Sequence, residues 1–129
     1  MTKIAYIIRG LPGSGKTTLS QHLAPYANVA ADEWFDKFND GEFNPKYLKN
    51  AHDWCKNEFY HFCKNDESVV AVHNTFIKTW EYESYVNIAK HFGYQVFVIT
   101  THNHHDGDSE HSVPNEKINE MRNNFETNL

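Results

Sequence analysis

The run Gly10-Leu11-Pro12-Gly13-Ser14-Gly15-Lys16-Thr17 constrains this chain more than any other feature. Its spacing is GxxxxGK[ST], with glycines that allow a tight backbone curl followed by a lysine and a hydroxyl residue. The pattern works only where a strand delivers the chain into the curl and a helix carries it away, and both flanks comply. Ile4 to Ile8 is branched and apolar, suited to a buried strand that ends at Arg9-Gly10. Lys16 to Ala24 can form a helix, which Pro25 stops. Such a curl turns backbone N–H groups inward and meets the positive dipole end of the helix, making a cradle for phosphate. Gly10, Pro12, Gly13, Ser14, Gly15, Lys16, Thr17 and Thr18 are the expected nucleotide contacts. Lys16 would reach the β- and γ-phosphates, and the Thr17 hydroxyl would ligate Mg²⁺. No guanine-reading motif is present, so ATP with Mg²⁺ is the expected ligand.

The same alternation continues along the chain. Asn28 to Ala31 reads as a second short strand delivering Asp32-Glu33 at its end, and residues 36 to 45 read as loop around Gly41 and Asn44-Pro45. Tyr47, Leu48, Ala51, Trp54, Cys55, Phe59 and Phe62 recur at intervals of three and four, predicting a helix from about Lys46 to Lys64. Val69 to Val72 is a third strand, running into His73-Asn74-Thr75. Tyr85, Ile88, Ala89 and Phe92 mark a helix that stops at Gly93, and Val96 to Ile99 is a fourth strand. Residues 101 to 113 carry no apolar period and read as a mobile, histidine-rich lid before Pro114 opens a last helix with Ile118, Met121 and Phe125 on its inner face. Strands alternating with helices predict an α/β, three-layer P-loop NTPase fold: a mainly four-stranded parallel sheet flanked by helices, with ligands at the C-terminal ends of the strands.

Composition narrows the setting. A chain of 129 residues suits one domain, here residues 1–129, and no segment approaches the roughly 18 apolar residues of a membrane span. The apolar run at the N-terminus is too short for a secretory signal, so a soluble, cytoplasmic protein is expected. Cys55 and Cys63 lie two helical turns apart, about 12 Å, too far for a mutual disulfide. A net charge of -5 with only two arginines, Arg9 and Arg122, excludes a broad basic surface for nucleic acid. A nucleic-acid acceptor would need a local site, and the sequence does not indicate an oligomeric state.

With Arg9 to Thr17 in hand, other segments join the pattern: Ala31-Asp32-Glu33-Trp34-Phe35, Gly41-Glu42-Phe43-Asn44-Pro45, Ala51-His52-Asp53-Trp54-Cys55, Asn74-Thr75 with Trp80-Glu81, and Val113-Pro114 followed by Ile118 and Met121. Taken together the chain resembles the polynucleotide-kinase-like P-loop kinases, a small AAA-type kinase domain, nearly end to end. The resemblance implies transfer of the γ-phosphate of ATP to a hydroxyl, often the 5′-hydroxyl of a nucleic acid. It also implies that Asp32, the acid after strand two, is the general base, with Lys16 as the second catalytic residue. An independent expectation agrees: strand two is expected next to the strand carrying the loop, which puts Asp32 close to where an acceptor oxygen must align. Asp32 is also, with Thr17, the expected metal ligand, and Glu33 is the alternative for either role.

Three positions depart from the family pattern. Residues 101 to 113 contain neither Arg nor Lys, so the usual lid arginine is missing and transition-state charge falls to Lys16, Arg122 and the metal. Phe35 occupies the place of an arginine that holds the acceptor's phosphate. His73 replaces the acid of a segment that usually reads Asp-Asn-Thr-Asn. His102, His104, His105 and His111 with Asp106, Asp108 and Glu110 read either as a solvated lid or as one that gains charge near pH 6, and their spacing matches no closed zinc module. Trp34, Phe35, Phe38 and Phe43 suit either core packing or stacking on a base. Two alternatives therefore stand beside the hydroxyl kinase: a kinase of hydroxymethylated bases in DNA, and a nucleotide-binding module without transfer activity.

Overall fold

In the computed structural model, which describes residues 2–102 and 115–125 (side chains of 115–118 excepted), the glycine-rich loop does join a strand to a helix. Strand β1 spans Ile4–Arg9 and helix α1 spans Lys16–Leu23. Ala24 then closes α1 by donating its N–H to the Ser20 carbonyl, immediately before Pro25. The order continues with β2 (Asn28–Val29), α2 (Glu33–Phe38), a 3₁₀ turn (Pro45–Tyr47), α3 (Leu48–Lys64), β3 (Val69–Asn74), α4 (Trp80–His91), β4 (Gln95–Thr100) and α5 (Asn115–Asn124).

The four strands form one parallel sheet in the order β2-β3-β1-β4. Their side chains alternate strictly between faces. Ala5, Ile7, Val70 and Val72 face a core shared with Ala51, Cys55 and Phe59 of α3 and Tyr85 and Ala89 of α4. The other face carries Ile8 and Ala71, packed by Leu19 and Leu23 of α1. Both faces are thus covered, which is why β1 and β3 read as unbroken apolar runs. This is the three-layer α/β arrangement anticipated from the alternation of elements. No helix among the described residues is long and apolar enough to cross a membrane.

Two expectations are corrected. Strand two is only Asn28–Val29, and Asp32-Glu33 do not end it; they open α2, whose second half, from Asp36, falls in the stretch expected to be loop. The helical signal was hidden because a six-residue helix is too short to display a stripe, and its aromatics fit either reading. Strand β2 also does not neighbour β1. Strand β3 lies between them, so Asp32 is displaced by two strand spacings, about 10 Å, from the strand that carries the loop. Strand order is a long-range choice that the alternation of local elements leaves open.

Candidate active site

Parallel pairing aligns Arg9, Asn74 and Thr100 at one edge of the sheet, so three strands release their chains at the same level. The loop begins there. Gly13 and Gly15 adopt φ of 81° and 88°, the left-handed region that L side chains avoid, and Gly15 is the residue from which α1 starts. Gly10 is required for a different reason: a Cβ there would collide with Thr101 Oγ1 and stand 2.6 Å from Ser14 Oγ. The curl is tied by Ser14 N–H to the Leu11 carbonyl (3.1 Å) and by Leu19 N–H to the Gly15 carbonyl (3.1 Å). Lys16 Nζ donates to the Leu11 carbonyl at 3.0 Å, so the ammonium lies back across the loop. The first turn of α1 holds no acidic residue to oppose an anion. A backbone curl with no Cβ at Gly10, Gly13 and Gly15, a cation over it and a helix N-terminus behind it fit a nucleotide's phosphate chain.

Thr101, which the sequence placed only at the start of the lid, is a working part of this loop. Its N–H donates to the Arg9 carbonyl at 2.8 Å and its hydroxyl to the same oxygen at 3.2 Å. The hydroxyl also shares a 2.6 Å hydrogen bond with Ser14 Oγ. The only signal for it was its position just after β4. The rest of the histidine-rich segment, 103 to 114, lies outside the described residues; His102 is exposed.

Arg9 is fully buried. Its Nε and Nη2 donate to the Phe76 carbonyl at 3.0 and 2.8 Å, Nη2 also reaches the Ile77 carbonyl at 3.0 Å, and the Phe125 ring lies 4.2 Å from the guanidinium carbon. The guanidinium thereby braces the β3–α4 turn against the end of β1. Phe76 in that turn is held at φ 45°, a strained value for an aromatic residue.

On the far side of β3, Asn74 organises the approach to Asp32. Its Oδ1 accepts the Ala31 N–H at 2.9 Å, and its Nδ2 donates to Cys55 Sγ at 3.6 Å. The expected acidic pair is divided in role. Glu33 Oε1 accepts the Ala30 N–H at 3.0 Å, which makes it a brace for the turn, and burial raises its pKa against the lowering effect of that bond. Asp32 is solvent-exposed at the head of α2. His73 is buried in β3 opposite Ile8, at the level just below the loop. Of the aromatic group, Phe35 is core, Trp34 packs against it at 5.1 Å, and Phe38 and Phe43 are exposed. Arg122, a candidate cation, is exposed on α5.

A cavity of about 280 Å³ opens beside this edge. Its walls are His52, Asp53 and Lys56 of α3, Thr75 and Phe76 of the β3–α4 turn, and Trp80, Glu81 and Tyr85 of α4. Thr75 joins it to the loop, because the Thr75 carbonyl accepts the Gly10 N–H at 3.2 Å. His52 is open to solvent, yet its crowded surroundings lower its pKa by desolvation, outweighing the carboxylates of Glu81, Asp32 and Asp53. His52-Asp53 and Trp80-Glu81, two of the segments that carry the family resemblance, thus line one cavity.

Known proteins share this architecture. The family model described as an AAA domain matches residues 6–127. Human NEDD4-binding protein 2 is 30% identical over 97 residues, which is 72% of this chain and 6% of that protein. The chain thus spans a small fraction of that relative. Among solved structures, a chain of a Pnkp1/Rnl/Hen1 complex aligns with a TM-score of 0.61 at 17% identity, covering 92% of this chain and 38% of the other. A gluconokinase from Sinorhizobium meliloti aligns with a TM-score of 0.56 at 14% identity, covering 96% and 75%. The loop, the parallel sheet and the family match agree: this chain belongs to the AAA-domain family and has the fold of the P-loop kinases.

Proposed function

We propose that this protein is an ATP-dependent phosphotransferase that moves the γ-phosphate to a hydroxyl. One observation carries the reading: the phosphate cradle and a separate cavity meet at Thr75, which hydrogen-bonds the first glycine of the loop and lines the cavity. A plain nucleotide-binding module has no need of the second site. In this reading the backbone of Gly10, Pro12, Gly13, Ser14 and Gly15, with Thr18, holds the phosphates. Lys16 would reach from the Leu11 carbonyl to the β- and γ-oxygens; Thr17 directly, and Asp32 through one of the ion's waters, are the residues that would hold Mg²⁺. ATP with Mg²⁺ supplies the phosphoryl group and neutralises its charge.

Asp32 serves as the general base. The acceptor oxygen forms a bond to the γ-phosphorus, the bond from that phosphorus to the β–γ bridging oxygen breaks, ADP leaves, and the acceptor's proton passes to the Asp32 carboxylate. An acceptor lying over the C-terminal end of β3, the strand between β1 and β2, would stand between the cradle and that carboxylate. Glu33 is given the bracing role instead, because one of its oxygens accepts the Ala30 N–H. Both cysteines are free and buried, which suits the reducing cytoplasm.

The test is transfer of labelled γ-phosphate to a panel of hydroxyl acceptors, 5′-hydroxyl oligonucleotides and hydroxymethylated DNA included. Asp32→Asn should lower kcat by about 10²–10⁴-fold, the range for a lost general base, while leaving the nucleotide Kd within about twofold. Full activity in that variant rules Asp32 out as the base.

A further inference from the structure

The walls of the cavity carry a statement about the acceptor, which rests on the transferase reading above. Among the described residues Lys56 is the only Lys or Arg lining it, against the carboxylates of Asp53 and Glu81, with His52 held toward its neutral form. Lys49 pairs with Asp53 at 2.6 Å from outside the cavity, so the lining approaches electrical balance and holds no surplus of positive charge. A site for a phosphate-bearing acceptor needs such a surplus, usually a forked guanidinium. Arg9, the one arginine near this edge among the described residues, is turned away: it is fully buried and committed to the Phe76 and Ile77 carbonyls.

What the walls do offer is hydroxyl recognition. Glu81 spends Oε2 on the Lys78 N–H at 2.9 Å, which fixes the carboxylate while its other oxygen remains as an acceptor. The Thr75 hydroxyl and the His52 ring add groups that can both donate and accept. Trp80 is 70% exposed at the rim, giving a flat apolar wall for one face of a sugar ring. At about 280 Å³ the cavity lies just below the range of drug-sized ligand sites, roughly 300 to 1,000 Å³, which limits it to a small acceptor.

We propose that the acceptor is a small, uncharged, hydroxyl-rich molecule of the sugar, polyol or free-nucleoside class, seated between α3 and α4, with Glu81 as its specificity-determining residue. The reaction is the transfer already written: the acceptor hydroxyl becomes a phosphate monoester, ADP leaves and Asp32 takes the proton.

The experiment uses matched pairs that differ by one phosphate: a nucleoside and its 3′-monophosphate, a free hexose and its 1-phosphate, glycerol and glycerol phosphate. Labelled-phosphate transfer from ATP with Mg²⁺ is measured for each, beside ATP binding and a 5′-hydroxyl oligonucleotide. The uncharged member of at least one pair should be the better substrate by about tenfold or more in kcat/KM, the size of one screened charge repulsion. Glu81→Gln, which keeps an oxygen acceptor for Lys78 N–H, should shrink that ratio by about threefold or more. Preference for the phosphorylated members or for the oligonucleotide overturns the acceptor class and leaves the transferase reading standing. A ratio unmoved by Glu81→Gln removes the cavity from the discrimination and overturns the assignment. No labelled product from any acceptor, with ATP binding intact, overturns the transferase reading and this one with it.

Discussion

Gly10→Ala should disable the phosphate loop through space alone. Gly10 does not hold a left-handed φ, so alanine's backbone preferences are not the obstacle. The added Cβ would collide with Thr101 Oγ1, stand 2.6 Å from Ser14 Oγ and 3.0 Å from the Thr101 carbonyl oxygen. The two hydroxyls can rotate away, but doing so breaks their 2.6 Å hydrogen bond, worth about 1 kcal/mol. The carbonyl is backbone and moves only if the chain after Thr101 shifts, while the Thr101 N–H stays tied to Arg9; overpacking of this kind costs about 1–3 kcal/mol. The sum, about 2–4 kcal/mol, falls on the loop's bound-state geometry, so nucleotide affinity should drop by roughly 30- to 1,000-fold. Calorimetric titration with ATP, run beside urea unfolding, separates loss of the loop from loss of the fold. Adding Thr101→Ala to Gly10→Ala removes the nearest atom and should recover about 1 kcal/mol beyond additivity. If Gly10→Ala binds ATP within twofold of the parent, or Thr101→Ala gives no recovery, the packing argument is wrong.

Two further outcomes follow from buried groups. Asn74→Ala leaves the Ala31 N–H without its acceptor, which should cost about 2 kcal/mol of stability, a Tm lowered by roughly 5–10 °C by calorimetry; because Ala31 leads into Asp32, kcat should fall more than nucleotide affinity, and an unchanged Tm would refute the link. Burial pushes the Cys55 thiol up to about 11 and the Cys63 thiol up to about 12, so the reactive thiolate is scarce at pH 8 and its population rises only toward those values. Native protein should resist iodoacetamide at pH 8 while urea-unfolded protein takes up two labels, and rapid native labelling at both sites would contradict the packing of α3.

Some of this was legible from residue order because the physics is local. The glycines, Lys16 and Thr17 announce a phosphate cradle through their own dihedrals and chemistry, and the apolar runs of β1 and β3 announce strands covered on both faces. Three of the four buried positions of α3, Ala51, Cys55 and Phe59, were visible at the helical period. Glycine spacing could also say that a tight curl was needed, although not that Thr101 would close it.

The tertiary structure decided the rest. Placing β3 between β2 and β1 moved Asp32 two strands from the loop and gave Asn74 and Thr75 the ground between them, a choice made by sheet order over tens of residues. A six-residue helix at Glu33–Phe38 took the acidic pair from a strand end and divided it into an exposed Asp32 and a braced Glu33, because only the folded turn brings Ala30 N–H to one carboxylate. His52 and Glu81 stand 29 positions apart in the chain and become walls of one cavity only when α3 and α4 pack side by side on the sheet. Residue order determined the glycine-rich curl and its place between β1 and α1; the packing of helices on the sheet decided what could be brought beside it, since that depends on contacts whose partners no local pattern names.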